Sequence, residues 1–128
     1  LAEAAESSGA DILSLINTLK GMVIDISKRR PLLGNITGGL SGPAIRPIAV
    51  RMVYEVFRSV KIPIIGLGGI SSLDDALQFF LAGARAVAVG SAGFIDPYTI
   101  PRLISDLQLF MESEGLQSLD EIVGAAQR

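Results

Sequence analysis

Two short apolar segments run directly into glycine: Ile62-Pro63-Ile64-Ile65-Gly66-Leu67-Gly68-Gly69 and, one helical stretch later, Ala86-Val87-Ala88-Val89-Gly90-Ser91. Each reads as a strand that is apolar at nearly every position, the pattern of a parallel sheet buried on both faces. Parallel neighbours require a crossover between them, and Leu73–Leu81 has the period of an amphipathic helix. A glycine at the carboxyl end of a buried strand lets a ligand approach the main chain. The following helix aims free N–H groups at that spot, and the natural occupant is a phosphate.

The rest of the chain extends the same rhythm. Leu1–Ser8 reads as the tail of a helix stopped by Gly9, and Asp11–Ile16 reads as a strand ending at Asn17-Thr18, two hydrogen-bonding side chains or a simple turn. Met22–Ile26 and Pro31–Ile36 flank the polar turn Ser27–Arg30, which predicts a β-hairpin. Its Lys28-Arg29-Arg30 tip reads as a solvated turn, with a partner contact as the alternative. The glycine-dense Gly38–Pro43 predicts a flexible entry to a helix over Pro43–Val60, whose buried stripe is Ile45, Ile48, Ala49, Met52, Val53, Val56 and Phe57. Arg46, Arg51 and Arg58 fall on its solvent face, a ligand role for Arg46 being the lesser reading. A further helix follows Gly69, capped by Ser71 or Ser72, with Leu73, Ala76, Leu77, Phe80 and Leu81 buried. After a brief turn at Phe94–Pro97, a helix spans Thr99–Ser113 and stops before Gly115; Ser118–Glu121 is a capping box for a short last helix.

The order β, hairpin, α, β, α, β, α, α places helices over one face of the sheet and leaves the other without cover. A (β/α)8 barrel needs about 250 residues, and the chain has 128. The fold class expected is therefore α/β, the C-terminal half of a (β/α)8 TIM barrel, incomplete as a barrel, with a β-hairpin excursion on the catalytic rim. Residues 1–128 then form one unit, a piece cut from a longer chain whose N-terminal half is missing. Two successive glycine turns match the phosphate site such barrels build after strands 7 and 8. A dinucleotide-binding fingerprint fits less well: the third glycine of G-x-G-x-x-G is Ser71, and the next strand ends Val89-Gly90-Ser91 instead of in an acid. The bland alternative is that the glycines only ease strand–helix packing.

An apolar content of 49% and a mean hydropathy of +0.49 are high for so short a chain, yet no apolar run approaches the ~18 residues of a membrane span. The surplus fits an uncovered interface. A formal charge of -2 and 5% aromatic residues argue against nucleic acid binding, which needs a basic field and stacking rings. The absence of cysteine and histidine removes disulfides, thiolate nucleophiles, imidazole bases and the usual zinc ligands. No catalytic base and no metal site is expected within these residues.

Taken together, Leu15-Ile16-Asn17-Thr18, Gly38–Pro47, Ile64–Ser71, Ala82-Gly83-Ala84 and Val89-Gly90-Ser91-Ala92 resemble the C-terminal part of class 1 dihydroorotate dehydrogenases. Gly-Gly-Leu-Ser-Gly-Pro-Ala-Ile at 38–45 and Asn-Thr-Leu-Lys-Gly-Met at 17–22 look like the NAD-linked 1B branch. The resemblance implies an FMN-containing barrel that oxidises dihydroorotate to orotate in cytoplasmic pyrimidine synthesis. It implies that Ile16 touches the flavin through its main chain and that Asn17 and Thr18 hydrogen-bond orotate. Gly42 then sits beside FMN, while Gly68, Gly69, Gly90 and Ser91 hold its phosphate. The family's proton-abstracting cysteine and a flavin-contacting lysine belong to upstream segments; Lys20 is no substitute. Also implied are a homodimer and an electron-transfer subunit bearing FAD and an iron–sulfur cluster, with neither nucleic acid nor membrane as partner. Related flavin barrels of the dihydropyrimidine dehydrogenase type, and a non-catalytic phosphate-binding half-barrel, are the alternatives.

Overall fold

A computed structural model describes residues 1–127. Helix α1 (Ala2–Ser7) leads to strand β1 (Leu13–Leu15). An antiparallel ribbon follows, with β2 (Leu19–Gly21) and β5 (Gly38–Leu40) as its base and β3 (Ile24–Asp25) and β4 (Arg30–Pro31) nearer its tip. A 3-10 turn at Pro43–Ile45 opens α2 (Arg46–Phe57); then come β6 (Ile64–Leu67), α3 (Leu73–Ala82), β7 (Ala86–Ala88), α4 (Ser91–Ile95) and α5 (Thr99–Glu114). Single 3-10 turns at Leu119–Glu121 and Ala125–Gln127 follow.

Strands β1, β6 and β7 form one parallel sheet in chain order, with Leu13 opposite Ile64 and Gly66 opposite Val87. Helix α2 packs on β1 and β6, α3 packs on β7 and against α2, and α5 lies against α3. Both crossover helices thus cover the same face. The core between sheet and helices contains Ile45, Ala49 and Val53 from the α2 side, Ile64 from the sheet, and Ala76, Phe79 and Phe80 from α3. Gly66 faces the helices, because a Cβ there would run into the Phe79 ring. Strand alternation then puts Ile65 and Leu67 on the opposite face with Ser14, Ala86 and Ala88, all exposed or half-buried. That face is the uncovered one expected from the apolar strands.

Several elements differ from their sequence expectation. Gly38–Leu40 is a strand instead of a flexible helix entry, because β2 supplies a pairing partner and the absent side chain of Gly39 admits Thr18 at the position a Cβ would take. The flanks of the ribbon tip form a strand pair at Ile24–Asp25 and Arg30–Pro31, extended by a hydrogen bond from Leu32 N–H to the Val23 oxygen at 2.9 Å. Ile48 and Leu81, placed on buried stripes, are 37% exposed, whereas Phe79 is fully buried. The turn at Phe94–Pro97 includes the end of a five-residue helix, and the expected last helix is a single 3-10 turn.

The start of α3 follows its sequence closely. Ser72 is the N-cap: its hydroxyl accepts from Asp75 N–H at 3.3 Å, while Asp75 Oδ2 accepts from Ser72 N–H at 3.1 Å. Removing such a cap costs about 1 kcal/mol, which lowers the melting temperature of a domain this size by roughly 3–5 °C. Ser72→Ala is expected to melt that much earlier in a calorimetric scan; an unchanged midpoint would place the stabilisation in Asp75 alone.

Candidate functional site

Parallel pairing brings the carboxyl ends of β1, β6 and β7 to one edge of the sheet. Three loops leave from there: Ile16-Asn17-Thr18, Gly68-Gly69-Ile70-Ser71 and Val89-Gly90-Ser91. The α2 entry at Ser41-Gly42-Pro43 closes against the second loop, with Gly69 beside the Gly42 carbonyl. Among these segments lies a cavity of about 310 Å³ whose wall includes Ile16, Thr18, Gly42, Gly68, Gly69, Gly90 and Ser91. A second cavity of about 290 Å³ shares Gly42, Gly69, Ile70 and Ser91 with it and continues past Ser71 to Asp96 and Thr99.

Seven of the eight candidate residues therefore meet on one wall. Asn17 follows the same strand end but does not line the cavity; its Oδ1 accepts from Thr18 N–H at 2.7 Å. Gly68 packs toward α2, where a Cβ would meet that of Ala49 at 3.1 Å. Gly42 and Gly90 are different, since a Cβ at either would project into open space. A side chain at those points would occupy the room a ligand needs.

The chemistry of this wall is that of main-chain donors. The N–H groups of Gly69, Ile70, Gly90 and Ser91 donate to no other protein group among the described residues. Such clustered N–H groups form a concavity suited to an anion with several acceptor oxygens. Among the described residues no side-chain cation lines either cavity. Arg46 does not lie on the solvent face of α2 as its spacing predicts; its Nη1 is 2.6 Å from Asp75 Oδ1 and 3.4 Å from the Gly69 carbonyl oxygen.

Burial by itself would raise the Asp75 carboxyl, but hydrogen bonds from Ser71 and Ser72, with the charge of Arg46, outweigh it and hold the group below its ordinary value. Asp96, on the second cavity, is likewise lowered, first by the Tyr98 N–H and then by Arg102. The sequence shows Asp75 only as an acid near the start of α3. It carried no sign of Arg46 as its partner, and none of Phe94, which stands 93% exposed at the cavity mouth. Among the described residues no group of three or more His, Cys, Asp or Glu side chains is placed to hold a metal ion.

Comparison with known proteins adds an independent line. The dihydroorotate dehydrogenase family model matches residues 1–111. The dihydroorotate dehydrogenase B (NAD(+)) catalytic subunit of Desulforudis audaxviator is 55% identical over 128 residues, 100% of this chain and 42% of that protein. The proteins of the same description from Carboxydothermus hydrogenoformans and Halalkalibacterium halodurans are 55% and 56% identical, each covering 41% of the relative and, respectively, 99% and 98% of this chain. The chain thus spans about two-fifths of the length of the curated relatives it matches.

Proposed function

We infer a function from one premise: this chain belongs to the dihydroorotate dehydrogenase family. Its role is to hold the phosphate of FMN and part of the pyrimidine in an enzyme that oxidises dihydroorotate to orotate for pyrimidine synthesis. The observation that carries this reading is the convergence of two glycine turns and the α2 entry on one cavity walled by free main-chain N–H groups. A parallel sheet in chain order with both crossover helices on one face supports the (β/α)8 arrangement, with the bare face as the barrel interior.

The residues present fit FMN. Gly69 and Ile70 offer N–H groups from one loop and Gly90 and Ser91 from the next, while the open space beside Gly42 and Gly90 leaves room for phosphate and chain. When bound, FMN supplies the acceptor for hydride leaving a carbon of the substrate. Ile16 presents its main chain from the end of β1. Thr18 offers a hydroxyl, and Asn17 offers its NH2 because its carbonyl already accepts from Thr18; both suit the carbonyl and carboxylate oxygens of orotate.

The sequence has neither cysteine nor histidine, and the residues lining the first cavity are Ile, Leu, Phe, Gly, Ser and Thr, none of which is an ionised base at neutral pH. The cysteine expected of the 1B branch acts from outside these 128 residues. By the same reading, electrons pass to NAD through a subunit bearing FAD and an iron–sulfur cluster, the catalytic subunit pairs as a homodimer, and the work is done in the cytoplasm. Among the described residues no helix is long and apolar enough to cross a membrane.

The 128-residue chain is expected to quench and bind FMN but to show no dihydroorotate-dependent dye reduction. Turnover without added protein would overturn the assignment of the base to another segment, and failure to retain any flavin would count against the phosphate cradle. Binding of FMN with no binding of orotate would leave only the phosphate part standing.

A further inference from the structure

Arg46 touches neither cavity, yet it lies against the turn assigned to the phosphate. Its Nη1 pairs with Asp75 Oδ1 at 2.6 Å and reaches the Gly69 carbonyl oxygen at 3.4 Å. The second carboxylate oxygen of Asp75 accepts from Ser71 N–H and Ser71 Oγ, both at 2.9 Å, and from Ser72 N–H at 3.1 Å. Asp75 is only 5% exposed, so these bonds are shielded from water and are stronger than surface pairs. One carboxylate therefore ties the end of the turn to the start of α2, and Arg46 extends the tie back to Gly69.

In a planar trans peptide the carbonyl of one residue and the N–H of the next point in opposite directions. Holding the Gly69 oxygen toward Arg46, away from the cavities, turns the Ile70 N–H the other way, and Ile70 lines both cavities. Glycine on the N-terminal side of this peptide lowers the cost of rotating it, and a flipped peptide would present its oxygen to the anion. We propose that the Arg46–Asp75 pair is a positioning device that locks the Gly69–Ile70 peptide with its N–H toward the phosphate. This rests on the reading of the cavity as an FMN phosphate site.

The test is to titrate the chain with FMN and with riboflavin, which lacks the phosphate, and to compare the ratio of the two affinities. The unaltered chain is expected to bind FMN more tightly than riboflavin. Arg46→Met is expected to cut FMN affinity by roughly tenfold, the worth of about one charge-assisted hydrogen bond, and to leave riboflavin affinity unchanged. Arg46→Lys keeps the charge beside Asp75 but not the planar fork, so it is expected to retain part of the preference. It is read in the same way if Arg46→Met does not fold. Parallel loss of both affinities would show that the pair merely supports the fold, and an intact preference in Arg46→Met would show that it does not set the peptide; either overturns the proposal while the phosphate site stands. An unaltered chain with no preference for FMN would overturn the phosphate site, and the proposal with it.

Discussion

Gly69→Ala is expected to weaken FMN binding at least tenfold and to lower stability by about 2–5 kcal/mol, the sum of a left-handed backbone cost and overpacking. The backbone at Gly69 has φ 75°, where a residue with a Cβ is strained. The new Cβ would also lie 2.6 Å from the Gly42 carbonyl oxygen and 3.0 Å from Arg46 Cβ. Neither neighbour is the end of a flexible side chain. Relief requires the α2 entry to back away from the turn, which opens the wall that Gly42, Gly69 and Ser91 share. Fluorescence titration and a thermal scan measure the two effects separately. A variant that melts early yet binds FMN normally would mean that the contact of turn and α2 entry serves the fold and not the ligand.

Phe79→Ala is expected to cost about 3–5 kcal/mol, the range for truncating a buried aromatic. Against a total stability of about 5–15 kcal/mol, that is enough to leave a large unfolded fraction at 37 °C. Phe79 is the largest side chain with no exposed surface, and its ring occupies the space that Gly66 leaves on the middle strand. The two residues are complementary in volume, so their substitutions are coupled. Gly66→Ala alone drives a methyl group into the ring and destabilises; in the Phe79→Ala background the same methyl enters the vacated space and recovers part of the loss. Urea unfolding of the four chains measures the coupling. Strict additivity would mean that the sheet shifts to fill the gap before the methyl can.

What the sequence made legible was chemistry that operates over a few residues. The glycine turns could be placed because each follows an apolar strand directly; the capping box at Ser118 is read from side chains three positions apart, and the α3 cap is read as Ser71 or Ser72, of which the structure uses Ser72. The end of α5 before Gly115 has the same local origin. Less legible was whatever depends on a partner far along the chain. Arg46 falls on the polar side of its helix by periodicity, and only the return of the chain at Asp75 gives it a mate. Phe79 and Leu81 exchange roles because α3 is packed by α2 on one side and by the 3-10 turn at Ala125–Gln127 on another, a width of burial no single stripe conveys. Gly38-Gly39 looks flexible alone and becomes a strand once Thr18 and Leu33 lie where their side chains would be. Asn17 is legible as the residue that follows a strand end, but the bond that its amide oxygen accepts from the very next residue is not.

The 3-10 turn at Ala125–Gln127 has a consequence for how the molecule opens. The last carbonyls of a helix lack partners within it, and here the chain's later residues supply them. Gln127 Nε2 donates to the Tyr54 oxygen at the end of α2 at 3.0 Å and to the Ala82 oxygen at the end of α3 at 2.8 Å, while Gly124 N–H donates to the Phe80 oxygen at 2.9 Å. Two helix ends that would otherwise fray separately are bound to one short segment. Their final turns are consequently expected to exchange amide hydrogen as one cooperative unit with residues 124–127, with loosening of that segment unzipping both helices at the end of the sheet opposite the cavity.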